Sequence, residues 1–600
     1  MNSFRNQSWC GSLVKIKWDS RKLPLRHERI PLPDIYLEPT GVPTYIVKKG
    51  SRVEPKRENV VFENIVVAKT IFELVKPLYG PRGFNKIILT KKGKTKHMFV
   101  VSNLRTLAKN VKIIHPIGIA FLGAALSVET SVGDGSITSI ILATKILENL
   151  EELLRKKEHP GPLVGSVLKA YNYLRNVAYN YPGLRKVEPM VAIDNVLENS
   201  VVRKLPIPDP LHIKNLALTA IEIVGLKELT EASGKFPDEI IDVKRIEGGG
   251  ISDSFVVDGL ALYRELPHEK MPKVVEDARI AVVKKAELRI PNQKINRYID
   301  YEFHWKSEGY LRDFEKSKEK YLLSLIKRIL DLGVNVLILE KGVDDFLLEY
   351  LANKKVLVIW RTPPPEIKRI VKAVNAVLVS SFDLLTPSDL GWAKIVEAKK
   401  INEQPWIFIR GCKNPKTIDV VLRGTSKYVM LDVEHSLMRS MRVARTLALD
   451  PRVVYGGGAF EMYIAEKLLE KSKELDPLDS YVFEAMSKAF ESIPMILAES
   501  AGINPLDALV YLRREHYEEE NYRAGVDVVR RRMTKEVNVL DSFQVKLSAI
   551  KAAIELVLIV LRIDRIIKIR EASEAEKYYM KRQEATSPQK FKEYEKEINP

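Results

Sequence analysis

The sequence contains few cysteines and no long apolar run. Cys10 and Cys412 are the only two cysteines in 600 residues, which excludes a disulfide framework and a cysteine-rich zinc site and indicates a reducing compartment. The N-terminus lacks the apolar core of a signal peptide, and the most apolar late stretch, residues 556–561, is too short to span a bilayer. We therefore expect a cytoplasmic protein with no membrane segment.

A Walker-type phosphate loop is also missing, since no Gly-x-x-x-x-Gly-Lys-Ser/Thr occurs in the chain. Because no lysine-bearing phosphate loop or substrate motif is present, a conventional metabolic kinase is excluded.

Positive charge, by contrast, is abundant, and the formal net charge is +18. The basic residues are spread along the chain and alternate with acids, which favours a solvated surface, so nucleic acid is not expected as a partner. The 46% of apolar and 29% of charged residues are typical of a globular protein. The chain is too long for one hydrophobic core, and we expect roughly two to four domains.

The most informative stretch is the turn Gly133-Asp134-Gly135-Ser136-Ile137-Thr138, which precedes an apolar helix. Its glycines let the backbone approach an anion, and its hydroxyls and the first helical N–H groups can hold a phosphate. A carboxylate in such a turn repels phosphate unless a divalent cation lies between them. The turn therefore predicts a metal–nucleotide site, although alone it is more often an ordinary helix cap.

Two other glycine turns lie far away in the sequence. Gly80-Pro81-Arg82-Gly83 follows a helix predicted from Asn59, and Gly456-Gly457-Gly458-Ala459 precedes another helix. Each turn alone is typical of a helix stop or a linker. Together with the turn at Asp134, they expose backbone beside three helix termini, which suits a nucleotide.

Hydrophobic periodicity predicts helices towards both ends of the chain and an α/β module between them. Strands are expected at 240–243, 280–283, 334–339 and 356–359, with an intervening helix at 315–332. Later helices are expected at 433–449, 459–473, 481–502, 505–517 and 545–569. A helical module divided by an insertion must bring its two halves together in space.

Several of these segments match, in order, the motifs of group II chaperonins, the thermosome class of archaea and the eukaryotic cytosol. Residues 80–86 resemble the family's Gly-Pro-Lys-Gly-Met-Asp-Lys, and residues 133–138 resemble Gly-Asp-Gly-Thr-Thr-Thr. Further similar segments are 411–416, 422–424, 453–459, 493–507 and 561–564. The resemblance covers residues from about 45 to 570.

The resemblance implies a multidomain α plus α/β fold, in which a helical equatorial domain is split by an intermediate hinge domain and an α/β apical domain. The implied division is a basic extension at 1–44, equatorial parts at 45–189 and 456–570, intermediate parts at 190–247 and 425–455, an apical domain at 248–424 and a charged tail at 571–600. The apical protrusion, a built-in lid, is expected near 288–320. Family members form double rings, homo- or hetero-oligomeric, around a cavity for non-native protein.

The resemblance also assigns roles in an ATP and Mg²⁺ site. By this resemblance Asp134 holds Mg²⁺ on the phosphates, and Gly135, Ser136 and Thr138 donate to phosphate oxygens. Gly80 and Pro81 line the nucleotide. Gly457 approaches the ribose, and Asp541 replaces a ribose-binding Glu. Ile137 departs from the family pattern because it removes a hydroxyl.

Two positions contradict ordinary hydrolysis. The family uses two further carboxylates, and the corresponding positions here are Asn103, counted back from His115-Pro116, and Arg439. A general base typically contributes ~10²–10⁴-fold in rate, and neither side chain can take a proton. We therefore expect ATP binding with impaired hydrolysis, in a subunit mixed with active paralogues. An arginine near the γ-phosphate can still tighten binding.

An alternative is a non-cycling scaffold on the same fold, whose basic extension and Arg530-Arg531-Arg532 contact nucleic acid or acidic partners. An arginine run of this kind is more often a solvated hairpin.

Overall fold

The computed structural model describes residues 57–284 and 326–563 with gaps at 93–94, 157–158, 199–206, 232–236, 238–239, 344 and 381. It also describes 52–53, 567–568 and three residues between 320 and 324. The predicted N-terminal extension and charged tail lie outside these residues, as does the protrusion at 288–320 except for Lys320.

Helices occupy most of the first and last thirds of the described chain. In the first part they are α1 (Arg57–Val75), α2 (Leu104–Asn110), α3 (Pro116–Val132), α4 (Ser136–Arg155), α5 (Pro160–Tyr179), α6 (Pro189–Val196), α7 (Pro210–Val224) and α8 (Leu226–Glu231). The later helices are α9 (Asp345–Asn353), α10 (Pro364–Val374), α11 (Lys427–Leu449), α12 (Ala459–Ser472), α13 (Pro477–Ala501), α14 (Pro505–Arg513) and α15 (Phe543–Arg562).

Strands concentrate in the middle of the chain. Up to residue 283 they are β1 (Arg52–Val53), β2 (Lys86–Lys92), β3 (Thr95–Val101), β4 (Arg185–Lys186), β5 (Ile241–Glu247), β6 (Phe255–Val257), β7 (Leu260–Tyr263) and β8 (Val274–Val283). After it they are β9 (Val336–Leu339), β10 (Leu357–Ile359), β11 (Leu378–Val379), β12 (Gly391–Ile401), β13 (Gln404–Cys412), β14 (Ile418–Gly424), β15 (Arg452–Tyr455), β16 (Gly525–Asp527), β17 (Arg532–Thr534), β18 (Leu540–Ser542) and β19 (Ile567–Lys568).

The largest sheet has seven strands in the order β10-β9-β8-β12-β13-β7, with β11 also paired to β8. Strands β8, β9 and β10 run parallel, with Ile280 opposite Val336 and Val336 opposite Leu357. All residues of β9 and β10 are buried, as expected for parallel strands covered on both faces. The three predicted strand runs are thereby confirmed, and the run at 240–243 belongs to β5 beside β14.

The five helices predicted between residues 433 and 569 are confirmed in position but not at every end, whereas much of the helix predicted at 315–332 lies outside the described residues. Helix α11 begins at Lys427, earlier than expected, and α14 ends at Arg513, after which residues 514–518 form a wider helical turn. The helix predicted to continue to residue 569 ends at Arg562, and Ile567 and Lys568 form a strand paired with Arg52 and Val53. An isoleucine-rich sequence is compatible with a helix face or with a strand. Pairing with the distant residues Arg52 and Val53 determines that this segment forms a strand.

The buried side chains form separate hydrophobic cores. One core draws on both ends of the chain, from residues 61–181 and 454–561. A second combines residues 192–241 with residues 418–453. Two further cores cover the large sheet, drawing on residues 260–412 and 271–385. The insertion in the middle thus leaves the two helical ends packed together, and the domain boundaries themselves remain a prediction.

Candidate nucleotide-binding site

The turn between α3 and α4 is held in shape by two glycines. Gly133 (φ 90°) and Gly135 (φ 89°) both adopt the left-handed region, which other residues rarely populate. A Cβ on Gly133 would lie 2.6 Å from the backbone nitrogen of Val443, so only glycine fits against α11 at this point. The turn therefore places Asp134 directly beside a helix that comes more than 300 residues later.

The carboxylate of Asp134 is bound to the side chain that replaces an expected carboxylate. Its Oδ1 accepts from the Arg439 Nη2 at 2.6 Å and from the Gly135 backbone nitrogen at 2.9 Å. The Nε of Arg439 donates to the carbonyl of Gly133 at 3.2 Å, and the arginine side chain is only 11% exposed. Burial alone would lower the pKa of Arg439, but Asp134 and Glu129 raise it above its usual value. Arg439 is therefore a permanent buried cation.

A cavity of about 130 Å³ lies beside this turn. Seven of the residues predicted from the sequence line it, namely Gly80, Pro81, Asp134, Gly135, Thr138, Gly457 and Asp541. Valines form much of the remaining wall, including Val526, Val528, Val529, Val539 and Val545. The cavity therefore combines an apolar side with a polar end at the Asp134 turn.

A smaller cavity of about 20 Å³ adjoins the larger one and shares Tyr79, Asp134 and Thr138 with it. The remaining four predicted residues line this smaller space, and they are Asn103, Ser136, Ile137 and Arg439. The structure thus brings all the predicted site residues to two joined cavities. Their roles remain predictions.

Sequence reasoning missed Lys546, a basic residue that lines the larger cavity. Its Nζ lies 2.8 Å from Asp541 Oδ2 and 2.7 Å from Glu461 Oε1, and its side chain is 12% exposed. Burial would lower the pKa of Lys546, but the two carboxylates raise it well above its usual value. Lys546 follows Asp541 by five residues at the start of an apolar helix, and this is the signal that could have identified it.

Tyr79 is a second residue that the sequence analysis did not single out. The hydroxyl of Thr138 donates to its hydroxyl at 3.4 Å, and Tyr79 lines both cavities. Burial raises the pKa of Tyr79 well above its usual value, so the phenol stays protonated. Its position immediately before Gly80 was the available signal.

Asn103 is engaged at both ends of its amide. Its Oδ1 accepts from the backbone nitrogen of Thr106 at 2.9 Å, which caps α2, and its Nδ2 donates to Asp432 Oδ1 at 3.2 Å. Asp432 is buried, and this burial raises its pKa to about 6. Asp432 is therefore a carboxylate next to the expected catalytic position, although it lines neither cavity.

The other acid near Arg439 in sequence faces elsewhere. Glu434 pairs with Arg245 at 3.2 Å, away from the Asp134 turn, as the helical spacing predicts. His435 lies 3.3 Å from the hydroxyl of Thr106, and burial, with a contribution from nearby basic residues, lowers its pKa to about 4. His435 is therefore neutral near pH 7.

Neither a cluster of metal-ligating side chains nor a helix able to span a bilayer occurs among the described residues. No group of three or more His, Cys, Asp and Glu side chains in this part of the chain is arranged to hold a metal ion. No described helix has the length and apolar character needed to cross a membrane.

The run Arg530-Arg531-Arg532 lies at the hairpin formed by β16 and β17. All three arginines are exposed, and Arg531 adopts a left-handed conformation (φ 55°) in the turn. This is the solvated hairpin that the sequence favoured.

Comparison with known proteins identifies the class to which this fold and site belong. The model of the TCP-1/cpn60 chaperonin family matches residues 71–571, and the chain therefore belongs to that family. It is 31% identical over 529 residues to the thermosome subunit alpha of Archaeoglobus fulgidus, covering 88% of this chain and 95% of the relative. The thermosome subunit alpha of Sulfurisphaera tokodaii is 30% identical (90% and 96% covered), and the thermosome subunit beta of Aeropyrum pernix is 30% identical (88% and 95% covered).

These matches confirm the resemblance to group II chaperonins found in the sequence. At about 30% identity over nearly the whole length of its relatives, the chain is a divergent subunit of this group. Family membership indicates a nucleotide-binding chaperone in general terms.

Proposed function

We propose that this chain is an ATP-binding subunit of a chaperonin ring that binds non-native protein and hydrolyses ATP poorly. The observation that carries the proposal is the convergence of predicted residues from six separate segments on two joined cavities. The predicted domain division, with an equatorial ATP site and an apical lid, is part of the same proposal.

The larger cavity has the chemistry that a nucleotide requires. Its polar end offers the N-terminus of α4, a helix of 20 residues, together with the hydroxyl of Thr138, and Ser136 lies in the adjoining smaller cavity. At the other end the backbone of Gly457 packs closely against β16, since a Cβ on Gly457 would lie 2.8 Å from the carbonyl oxygen of Val526. The phosphates would lie at α4 and the base against the valine wall, with Asp541 near the ribose.

The resemblance also predicts Mg²⁺ on the phosphates, with Asp134 as its protein ligand. A single carboxylate suits Mg²⁺, which usually keeps several waters and binds phosphate oxygens. However, Asp134 Oδ1 is held at 2.6 Å by Arg439, so these residues do not fit the metal ion while that contact is present. Mg²⁺ coordination by Asp134 therefore remains a prediction that requires Arg439 to move.

Impaired hydrolysis is supported by the surroundings of the smaller cavity. The carboxylates that line it are Glu129 and Asp134, and each is held by an arginine, Arg105 at 2.9 Å and Arg439 at 2.6 Å. An ion-paired carboxylate is a poor proton acceptor because its charged form is stabilised. Asn103 supplies an amide that can orient water but cannot take its proton.

Ring assembly with paralogous subunits is proposed from the relatives, which are named thermosome subunits alpha and beta. The hairpin β2–β3 presents exposed apolar side chains, Ile87 and Leu89, next to the exposed Phe84. An exposed apolar group of this kind suits contact with a neighbouring subunit.

The test is ATP binding and turnover by the purified protein, alone and mixed with an active paralogue, with particle size measured in parallel. We expect ATP binding, large particles and turnover far below that of the active paralogue. Ordinary chaperonin turnover by this chain alone would contradict impaired hydrolysis. Absence of ATP binding in every mixture would contradict the nucleotide site itself.

A further inference from the structure

The acidic residues around the two cavities are all matched by cations of the protein. Four carboxylates line the cavities, and each lies within 4 Å of a basic side chain: Asp134 of Arg439 (2.6 Å), Asp541 of Lys546 (2.8 Å), Glu129 of Arg105 (2.9 Å) and Asp527 of Arg530 (3.8 Å). An anion entering the cavities therefore meets no uncompensated carboxylate among them.

The pair formed by Asp134 and Arg439 is the one that faces the phosphate-binding turn. An aspartate in this turn repels phosphate unless a cation lies between them. In this structure the cation at that carboxylate is a guanidinium of the same chain, fixed by Asp134 and by the carbonyl of Gly133. Its side chain is largely buried, so the interaction is weakly screened by solvent.

The guanidinium also retains capacity to bind an anion. A guanidinium has five N–H groups, and the acceptors it meets among the described residues, Asp134 Oδ1 and Gly133 O, engage two of them. Arg439 lines the smaller cavity together with Ser136 and Thr138, on the N-terminal turn of α4. Arginine is well suited to phosphate because its planar fork of donors matches the phosphate oxygens.

We propose that Arg439 acts as a tethered cation at Asp134, so that this site binds ATP without a divalent metal ion. The inference rests on the proposed ATP-binding function and goes beyond it, because it assigns to a side chain the charge that the resemblance assigns to Mg²⁺. Arg439 is then a phosphate-binding residue that also supplies the positive charge at Asp134, and the sequence did not indicate this second role.

The first test is isothermal titration calorimetry of the full-length protein with ATP, in excess EDTA and in excess MgCl₂. We expect the two dissociation constants to agree within about threefold. Binding in MgCl₂ that weakens more than about tenfold in EDTA would overturn this inference but leave the ATP site standing. No binding in either buffer would overturn both.

The second test replaces the tethered cation. Arg439→Ala leaves Asp134 without its guanidinium, and we expect ATP binding in EDTA to weaken by at least about tenfold and to recover in MgCl₂. The matched control is Arg245→Ala, which removes an arginine that pairs with Glu434 on the same helix and lies outside both cavities. The control should bind ATP as the parent protein does in both buffers. Equal affinity of Arg439→Ala and the parent in EDTA would refute the role of Arg439.

A third variant keeps the test decisive even where Arg439→Ala fails to fold. Asp134→Asn removes the acid and leaves the guanidinium in place, so ATP should bind in EDTA at least as tightly as to the parent protein. MgCl₂ should add nothing to its affinity. A loss of more than about tenfold in EDTA on removing this single negative charge would contradict the proposal.

Discussion

Asp432 and His435 lie on one face of α11 beside Asn103 and Thr106. Their pKa values are shifted in opposite directions, so their effects on stability depend on pH with opposite signs. Burial lowers the pKa of His435 from 6.5 to about 4, and burial raises the pKa of Asp432 from 3.8 to about 6. The contribution of His435 to stability is therefore fully present above pH 6.5 and is lost as the pH falls towards 4. The contribution of Asp432 is fully present below pH 3.8 and is lost as the pH rises through 6.

The two effects are of similar size. At about 1.4 kcal/mol per pKa unit, each shift corresponds to about 3 kcal/mol in the free energy of unfolding. Because their pH windows overlap and their signs are opposite, they cancel between roughly pH 4 and 6 in the parent protein. Replacing either group alone leaves the pH dependence of stability that comes from the other group uncompensated.

We therefore predict that His435→Gln gains stability relative to the parent as the pH falls from 7 to 4, by up to about 3 kcal/mol. Asp432→Asn should lose a similar amount over the same range. The measurement is the thermal unfolding midpoint at each pH and at one protein concentration, where about 1 kcal/mol shifts the midpoint of a domain of 150–250 residues by roughly 2–4 °C.

The control is Ser440→Ala, a buried residue of the same helix that does not titrate. Its midpoint should differ from that of the parent by a constant amount at every pH. If the differences for His435→Gln and Asp432→Asn are equally independent of pH, the assignment of opposed buried groups is refuted.

Three further changes test the site. Lys546→Met leaves Asp541 and Glu461 without their cation and should lower the free energy of unfolding by about 3–5 kcal/mol. The control Lys551→Met removes an exposed lysine on the same helix and should cost less than about 1 kcal/mol. Equal losses for the two variants in chemical denaturation would contradict a buried ion-pair network. Gly133 has a φ of 90° and lies against the Val443 backbone, so Gly133→Ala should destabilise the protein by at least about 2 kcal/mol in thermal unfolding. The control Gly123→Ala places its Cβ in open space on a helix and should stabilise the protein by up to about 1 kcal/mol. Asn103→Asp combined with Arg439→Asp should raise ATP turnover at least about tenfold in a phosphate-release assay, and unchanged turnover would show that these positions do not limit hydrolysis.

The parts of the site that depend on local sequence were predictable. Glycines beside helix ends mark turns, so the turns at Gly80, Gly133 and Gly457 could be located before the fold was known, although each turn alone is typical of a helix cap or a linker. The buried strands β9 and β10 were equally clear because parallel strands covered on both faces contain continuous apolar runs. Local periodicity does not specify long-range pairing, and for this reason the strand at Ile567 was missed.

The contacts that set the electrostatics of the site were not predictable. Lys546 meets Glu461 across 85 residues, and Asn103 meets Asp432 across 329 residues. No spacing rule connects such positions, since the fold alone brings them within hydrogen-bond distance. Asp432 lies about two helical turns from Arg439 on α11, and it contacts the other altered position, Asn103.

The pairing of Asp134 with Arg439 changes the meaning of both residues. In the correspondence predicted from the resemblance, Asp134 retains a family feature and Arg439 replaces a carboxylate. Loss of a catalytic carboxylate would be explained by any neutral residue, but a neutral residue would leave Asp134 facing the phosphates alone whenever no metal ion is present. An arginine at this position removes the proton acceptor and neutralises Asp134 in one step, with a contact of 2.6 Å. The substitution is therefore better explained by a site that still holds ATP than by a site that has only lost its catalytic carboxylate.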